Sequence, residues 1–473
     1  MLKEKFKTKM IKKILLINLP FEKIYEKTTL KALSPTIPPL GLACIGASLI
    51  KCGHQVKIFD YNLYGDKEYI QLFKEFNPNY IGITFVTPLI READKISRIS
   101  KKMNGNIKII CGGAHPSSFP KSSLKETDID IAVVGEGDFS ICEIVNGKKL
   151  SKIKGIAYKE RGKIKLTKKR EFIKNLDDLP FPAYHLYETK KYHVPSEVAK
   201  NLPAVWYETS RGCVFGCTYC NKSCFGRTFR VKSPEKVVEE FIKIKNMGIK
   251  DILLTDDGFT TDMDRAKKIC DLLIKKKVNI SWSAITGIRV DRVDRELLFK
   301  MKQAGCYRFF FGIESGNQKI LNTIQKGITL EQVRNAVRLA KEAKIEIYGA
   351  FMLGLPGETE KTMQDTINFA KELDLDLAKA SITIPLPATP LFEDLKKNGR
   401  IKTEDWEKFK FYSTPSAIYD HEHLSWDVIE KYHKKFFRTL YLNPRFLFKR
   451  IKNSIKNKKV IKDIKMALTI RWL

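Results

Sequence analysis

Three closely spaced cysteines carry the clearest chemistry in the chain. Cys213, Cys217 and Cys220 stand in the run Arg211-Gly-Cys-Val-Phe-Gly-Cys-Thr-Tyr-Cys220, a C-x3-C-x2-C spacing with the aromatic Tyr219 before the last cysteine. Three thiolates on one short loop can ligate three irons of a [4Fe-4S] cluster and leave the fourth iron open to a small molecule. Closed electron-transfer clusters use four cysteines, so three point to chemistry at the open iron. Structural zinc is the alternative, because C-x2-C pairs bind it and Cys224 offers a fourth thiol. A zinc ribbon uses two separated pairs, however, and no second pair is present. Cys44, Cys52, Cys111, Cys142, Cys270 and Cys306 are scattered singly, mostly in apolar stretches, and read as small buried hydrophobes.

Such a loop needs a scaffold, and the residues around it alternate as strands and helices. Strands are expected at Val205–Thr209, Ile252–Thr255, Ile280–Ala284, Tyr307–Gly312, Glu346–Leu353 and Ala378–Ile384. Amphipathic helices are expected at Glu235–Met247, Met263–Lys276, Arg295–Ala304, Glu331–Ala343 and Lys361–Leu373. These units form a partial (β/α)6 barrel, whose site lies at the C-terminal ends of the strands. The cysteines directly follow the first strand.

A second alternating region precedes it, over residues 10–150. Short, β-branched runs at Ile14–Leu19, Val56–Asp60, Ile81–Phe85, Ile107–Cys111 and Ile131–Val134 read as buried parallel strands, with helices such as Leu40–Lys51 and Glu92–Met103 between them. The α/β pattern implies a doubly wound, Rossmann-like sheet of about five strands, with ligands beyond the strands' carboxyl ends. Turn residues follow those ends: Thr84 and Thr87 before Pro88, Gly112-Gly113-Ala-His115, and Gly135-Glu136-Gly137. Residues 151–198 read as a connector, a hairpin turning at Arg161-Gly162 and then a proline-rigid linker, Leu176-Asp-Asp-Leu-Pro-Phe-Pro-Ala183. The core then spans 199–425, followed by a basic helical extension over 426–473.

The net charge of the 473-residue chain is +32, compatible with nucleic acid, anionic lipid or an acidic substrate. Lysines spread over solvated faces account for most of it. The segment Lys431–Leu473 differs, with a lone Asp463 among its basic residues and Phe436, Phe437, Tyr441, Phe446, Phe448 and Trp472 interleaved. It reads either as a helix lying on a membrane surface or partner, or as a helix packed on the barrel with a solvated basic face. Unpaired cysteines and the absence of a signal peptide or a membrane-length apolar run lead us to expect a cytoplasmic protein, peripheral to a membrane at most. Met10 makes a natural start, with residues 1–9 a tail.

The cysteine spacing with its aromatic resembles the signature of the radical SAM superfamily. Pro38-Pro-Leu-Gly-Leu42, Gly53-His-Gln-Val-Lys-Ile-Phe-Asp60, Gly112-Gly-Ala-His-Pro116 and Val134-Gly-Glu-Gly137 resemble the cobalamin-binding domain that precedes the radical SAM core in one large subfamily. The D-x-H-x-x-G segment of other cobalamin proteins is absent, since Asp60 is followed by Tyr-Asn-Leu; the subfamily commonly holds cobalamin without a histidine lower ligand. The resemblance implies that Cys213, Cys217 and Cys220 hold the cluster beside Tyr219. It implies S-adenosylmethionine contacts from Asp256 and Asp257 after strand two, Arg289 after strand three, and Glu314 and Ser315 after strand four. It also implies backbone approach to the adenosyl group at Gly354 and Gly357. Thr84, Thr87, Gly112, Gly113, Gly135, Glu136 and Gly137 are the implied cobalamin contacts. Ala388 stands where the family commonly has glycine.

The implied activity is methylation of an unactivated carbon. One S-adenosylmethionine supplies methyl through cobalamin, and a second is reductively cleaved to the radical that takes a substrate hydrogen. A low-potential donor, ferredoxin or flavodoxin, is the expected partner, and the substrate a small molecule or lipid. Three rivals remain. One is a non-methylating enzyme with the same cofactors that cyclises, couples or rearranges its substrate. Another is an RNA methylthiotransferase, opposed by Asn18 at the end of strand one where a cluster cysteine would stand. The last is a basic zinc protein binding nucleic acid, a partner the barrel loops argue against.

Overall fold

Short β-branched runs become buried parallel strands in both halves of the chain, because a strand covered on both faces must be apolar throughout. The computed structural model describes residues 10–25, 35–410, 415–444 and 446–448. The chain divides into two compact units. The first contains Thr36–His193, the strand before it and the short segment Lys222–Gly226; the second contains Val194–Asn221 and the chain from Arg227 onward.

The first unit is a seven-stranded sheet in the order β2-β1-β3-β4-β5-β6-β7. Its strands are β1 (Lys13–Asn18), β2 (Gln55–Asp60), β3 (Tyr80–Thr84), β4 (Lys108–Gly112), β5 (Ile131–Val133), β6 (Ile156–Glu160) and β7 (Lys163–Leu166). The first five are parallel; β6 pairs antiparallel with β5, and β7 with β6. Helices α1 (Leu40–Lys51), α2 (Asp66–Phe76), α3 (Ile90–Met103), α4 (Ala114–Ser118), α5 (Pro120–Lys125) and α6 (Ser140–Val145) connect them. One core joins Ile14 and Leu16 of β1 to Leu42 and Leu49 of α1, Ile131 of β5 and Ile144 of α6. Strand order reverses at β1, which places the ligand crevice of such a sheet beyond β1 and β3. The hairpin expected in the connector is part of this sheet. It covers β5, three residues long, which would otherwise present an unpaired edge.

The second unit is a six-stranded parallel sheet in the order β15-β14-β13-β12-β11-β8. It comprises β8 (Ala204–Tyr207), β11 (Asp251–Leu254), β12 (Ser281–Ile288), β13 (Cys306–Glu314), β14 (Glu346–Leu353) and β15 (Leu377–Ile382), with β9 (Ser210–Arg211) and β10 (Arg230–Val231) forming a small antiparallel pair. Strands in sequence order with helical crossovers make the expected partial barrel. Its helices are α7 (Pro234–Asn246), α8 (Met263–Lys275), α9 (Arg295–Gln303), α10 (Gln318–Thr323), α11 (Leu330–Glu342), α12 (Glu360–Leu373), α13 (Pro390–Lys397) and α14 (Trp426–Tyr441). Ser233, Asp262, Asp294, Thr329, Thr359 and Thr389 each accept a backbone N–H as the N-cap of α7, α8, α9, α11, α12 and α13. These caps start each crossover helix at a fixed residue, which fixes the length of the loop before it.

Helix α14 packs on the barrel. Ile429 and Phe436 are fully buried, and the Phe436 ring lies 5.4 Å from that of Phe351 on β14. This answers the question posed by the basic extension as far as Tyr441; residues 449–473, like the tail over 1–9, lie outside the described residues. No helix among the described residues is long and apolar enough to cross a membrane.

Candidate active site

The cysteine loop leaves β8 through β9 and is pinned from both sides. Its Thr218 N–H donates to Ile324 O at 3.1 Å and its Thr218 carbonyl accepts from Leu391 N at 3.0 Å. Asn221 Nδ2 donates to Pro387 O at 2.7 Å. The segments following β13 and β15 therefore hold the loop that follows β8. Cys213 and Cys217 are half-buried and Cys220 is exposed. Three accessible thiols on a pinned loop fit an iron–sulfur cluster with one open iron. Cys224, the fourth ligand of the zinc reading, belongs with the other unit, where its Sγ lies 3.6 Å from Ser117 Oγ.

A buried ionic layer lies against this loop. Lys326 Nζ sits 2.8 Å from Glu314 Oε1 and 3.4 Å from the Tyr219 hydroxyl. Burial first, then the neighbouring Glu314 carboxylate and Cys217, raise the Tyr219 phenol well above its ordinary value, so it stays a neutral donor. The layer depends on Gly312, where an added Cβ would come within 2.8 Å of Glu314 Oε1 and 2.9 Å of Lys326 Nζ. A register shift between Gly312 and Glu314, with Glu314 at φ +67°, turns this carboxylate out of the regular ladder. Arg289 closes the layer: its guanidinium stacks 3.6 Å from the Phe215 ring centre, chelates Asp291, and donates to the carbonyls of Lys326 and Gly327 at 2.9 and 3.1 Å. Arg289 thus fixes the cysteine loop and the Lys326 turn together.

The other sequence-selected residues divide by exposure. Asp257 is exposed and accepts from Gly212 N, next to Cys213, at 3.2 Å. Asp256 is 2% exposed and accepts from Thr209 N at 2.7 Å, Thr209 Oγ1 at 2.5 Å and Ser210 Oγ at 2.7 Å. Its carboxylate is bonded three times by the chain that leads into the cysteine loop, so it positions that chain. Ser315 is fully buried with its hydroxyl 3.1 Å from Thr366 Oγ1 on α12. An added Cβ at Gly354 would face Ile429 of α14, and Gly357 N–H donates to Glu422. These three face the protein's own packing.

In the first unit, Thr84 ends β3 and Gly112 ends β4, with open space where a Gly112 Cβ would stand. Gly113 has φ +104°, and a Cβ there would lie 2.9 Å from Thr84 Oγ1 and 3.0 Å from Phe85 O, so only glycine fits. Gly135 receives Ser117 Oγ at its N–H, 3.0 Å away, and a Gly137 Cβ would strike Ile45 Cδ1 at 2.9 Å. The open strand ends fit a flat ligand resting on the sheet's carboxyl edge. Glu136 is buried and accepts Ile173 N at 2.8 Å, which ties down the linker. Thr87 Oγ1 lies 3.3 Å from His115 Nδ1. His115 is fully buried between Phe85 and Phe119, and burial pushes its pKa down to about 4. It is a neutral packing residue, closed off from a metal beyond the strands.

Sequence reasoning missed several residues. Lys326 follows α10 in an ordinary Gln-Lys-Gly turn, with no local sign of burial. The buried Glu208–Arg211 pair, 2.7 Å apart, and Arg265, donating to Thr209 O at 2.8 Å, stiffen the same approach to the loop. Both arginines are 4–6% exposed, which residue type alone argues against.

This geometry defines a two-unit α/β protein, one unit a partial barrel carrying a three-cysteine loop that fits an open-iron cluster, the other a doubly wound sheet with a glycine-lined carboxyl edge. The comparisons agree. Residues 207–370 match the radical SAM superfamily and residues 27–145 the B12 binding domain. An uncharacterized methyltransferase of Pyrococcus horikoshii is 36% identical over 93% of this chain and 95% of its own. An anaerobic magnesium-protoporphyrin IX monomethyl ester cyclase of Rubrivivax gelatinosus is 28% identical over 86% of this chain and 75% of its own. The fold resembles that of the radical S-adenosylmethionine methyltransferase TsrM from Kitasatospora setae, solved with cobalamin and a [4Fe-4S] cluster bound, at TM-score 0.67 and 19% identity over 82% of this chain and 75% of that one. The chain belongs to the B12-binding-domain-containing radical SAM family, and it is a radical SAM enzyme. Such enzymes need a reductant.

Proposed function

We propose that this protein methylates an unactivated carbon of a small or lipidic molecule. The observation that carries the reading is the joint presence of the pinned three-cysteine loop and the open glycine edge of the first sheet, in a chain so like a relative named as a methyltransferase. Cys213, Cys217 and Cys220 hold the cluster, and the residues around Gly112 and Gly113 take cobalamin. Bound there, these groups with S-adenosylmethionine supply the radical and methyl-transfer chemistry that side chains lack. The chain's own residues position and neutralise. Asp257 and Glu314 keep carboxylate oxygens toward the cysteine loop and receive the ammonium of S-adenosylmethionine, while Tyr219 holds its proton and donates. Arg289 keeps the loop in place through Phe215. Electrons come from a ferredoxin or flavodoxin, and the protein works in the cytoplasm, with 449–473 as a candidate membrane contact.

The test is anaerobic. Protein reconstituted with iron, sulfide and cobalamin is given S-adenosylmethionine and a strong reductant, and 5′-deoxyadenosine and S-adenosylhomocysteine are quantified together. Both products support methyl transfer. Deoxyadenosine without S-adenosylhomocysteine favours the second reading, a cyclase-like reaction, which the Rubrivivax gelatinosus relative supports. Cys217→Ala abolishes 5′-deoxyadenosine formation; cleavage that survives it refutes the cluster assignment.

A further inference from the structure

Among the described residues, one cation on the inner face of the barrel, Lys379, has no anionic partner. Lys379 lies in the middle of β15, between Ala378 and Ala380. Side chains alternate across a strand. Ala378 and Ala380 turn toward α14, whose Tyr441 and His433 side chains hydrogen-bond the backbone of those two residues. Lys379 therefore points to the opposite, inner face. There its Nζ lies 4.8 Å from the centre of the Phe310 ring on β13. The strand between is crossed at Ala350, which is in register with both Lys379 and Gly312. Two small residues in that row leave room for the lysine to lie across the sheet.

The neighbouring charges do not neutralise it. Glu314 already holds Lys326 at 2.8 Å, and Arg308 at the other end of β13 holds Glu346 at 2.6 Å. Among the described residues Lys379 forms no ion pair and no hydrogen bond. Ser381, two residues on and on the same face, is half-buried, and its hydroxyl has no hydrogen-bond partner among the described residues either. Lys379 combines an accessible side chain with dense protein surroundings, which mark a group lining a lumen. The surroundings lower its pKa by desolvation, and the Glu314 carboxylate opposes that shift. A desolvated ammonium with a hydroxyl beside it and an aromatic ring beneath it is built to receive an anion.

We propose that Lys379 and Ser381 form the substrate-anion contact of the barrel, and that the substrate carries a carboxylate or phosphate there. This rests on the radical SAM reading above for the location of the substrate. Its test reads anion occupancy and does not depend on any product. The anaerobically reconstituted full-length enzyme is treated with N-hydroxysuccinimidyl acetate, and acetylation at Lys379 is followed by peptide mass spectrometry. Inorganic phosphate and acetate serve as probes, with S-adenosylmethionine as a separate arm. At saturation the preferred anion slows acetylation of Lys379 about tenfold, the factor expected for one charge-assisted contact. Lys243 and Lys361, on outer helices, are unaffected. Ser381→Ala, a substitution that leaves the fold intact, raises the half-protecting anion concentration several-fold. Protection by neither anion overturns the proposal. Protection by S-adenosylmethionine alone also overturns it and reassigns Lys379 to that cofactor. If methyl transfer fails while anion protection stands, the reaction assignment is wrong and the anion contact survives.

Discussion

Replacing Asp256 with Ala separates a positioning carboxylate from a cofactor contact. The side chain accepts three hydrogen bonds, from Thr209 N, Thr209 Oγ1 and Ser210 Oγ, and is 2% exposed. Hydrogen bonds to a charged group contribute about 1.5–3 kcal/mol each, and an orphaned buried N–H adds its own desolvation cost. The two hydroxyls can turn to new acceptors and the backbone N–H cannot, so the sum is sub-additive, about 4 kcal/mol. At about 2–4 °C per kcal/mol for a unit of this size, the melting midpoint falls by about 10 °C. All five tryptophans, Trp206, Trp282, Trp406, Trp426 and Trp472, lie beyond residue 200, so tryptophan fluorescence follows the second unit. Asp257→Asn is the control: its side chain is exposed, and its stability change stays below about 1 kcal/mol. If Asp256→Ala melts within about 2 °C of the parent and loses only S-adenosylmethionine affinity, Asp256 is a cofactor contact and the positioning argument is wrong.

Lys326→Met leaves Glu314 buried without its partner, at an expected cost of about 3–5 kcal/mol, and adding Glu314→Gln recovers more than half of it; a single variant as stable as the parent refutes the pairing. Glu358 is fully buried, Leu355 N donates to its Oε2 at 3.0 Å, and its Oε1 has no hydrogen-bond partner among the described residues, so burial pushes the acid up to about 8. Its folded-state pKa lies above the ordinary carboxylate value of 4.5, so its stabilisation is full below that pH and is lost as the pH rises to about 8. Fluorescence-monitored unfolding of the parent should weaken across this window by up to about 1.4 kcal/mol per pH unit, and Glu358→Gln, isosteric with the neutral acid, should flatten the profile; parallel profiles contradict the assignment.

The cluster loop was legible because its meaning lies in spacing alone, and Cys213, Cys217 and Cys220 need no tertiary information to be chosen. Both parallel sheets were legible for a related reason, since a strand buried on two faces is written as an unbroken apolar run. The hairpin of β6 and β7 was visible as a hairpin, but its pairing with β5 was not, because an edge looks for a partner only once the sheet exists. Lys379 did carry a local sign. A lysine flanked by alanines inside a strand bounded by apolar residues is out of place unless one face of that strand opens on a lumen.

What sequence could not separate was touching a ligand from positioning the residues that do. Asp256 and Asp257 are adjacent, share a motif and follow the same strand. Just past the end of β11 the chain buries one, where Thr209 and Ser210 bond it, and leaves the other exposed beside Gly212. The same division runs through Glu314 and Ser315, of which the first joins the Lys326 layer and the second is closed against Thr366. In each pair the residue that retains capacity for a ligand neighbours one that holds the backbone still. A buried donor or acceptor must be satisfied within the fold, so a strand end that presents one carboxylate to a ligand is stiffest when the adjacent polar residue is bonded within the fold. On the function proposed above, the double-acid and Glu-Ser motifs each act as a single functional group, made of one contact and its support. Mutating the supporting members should cost stability before it costs affinity.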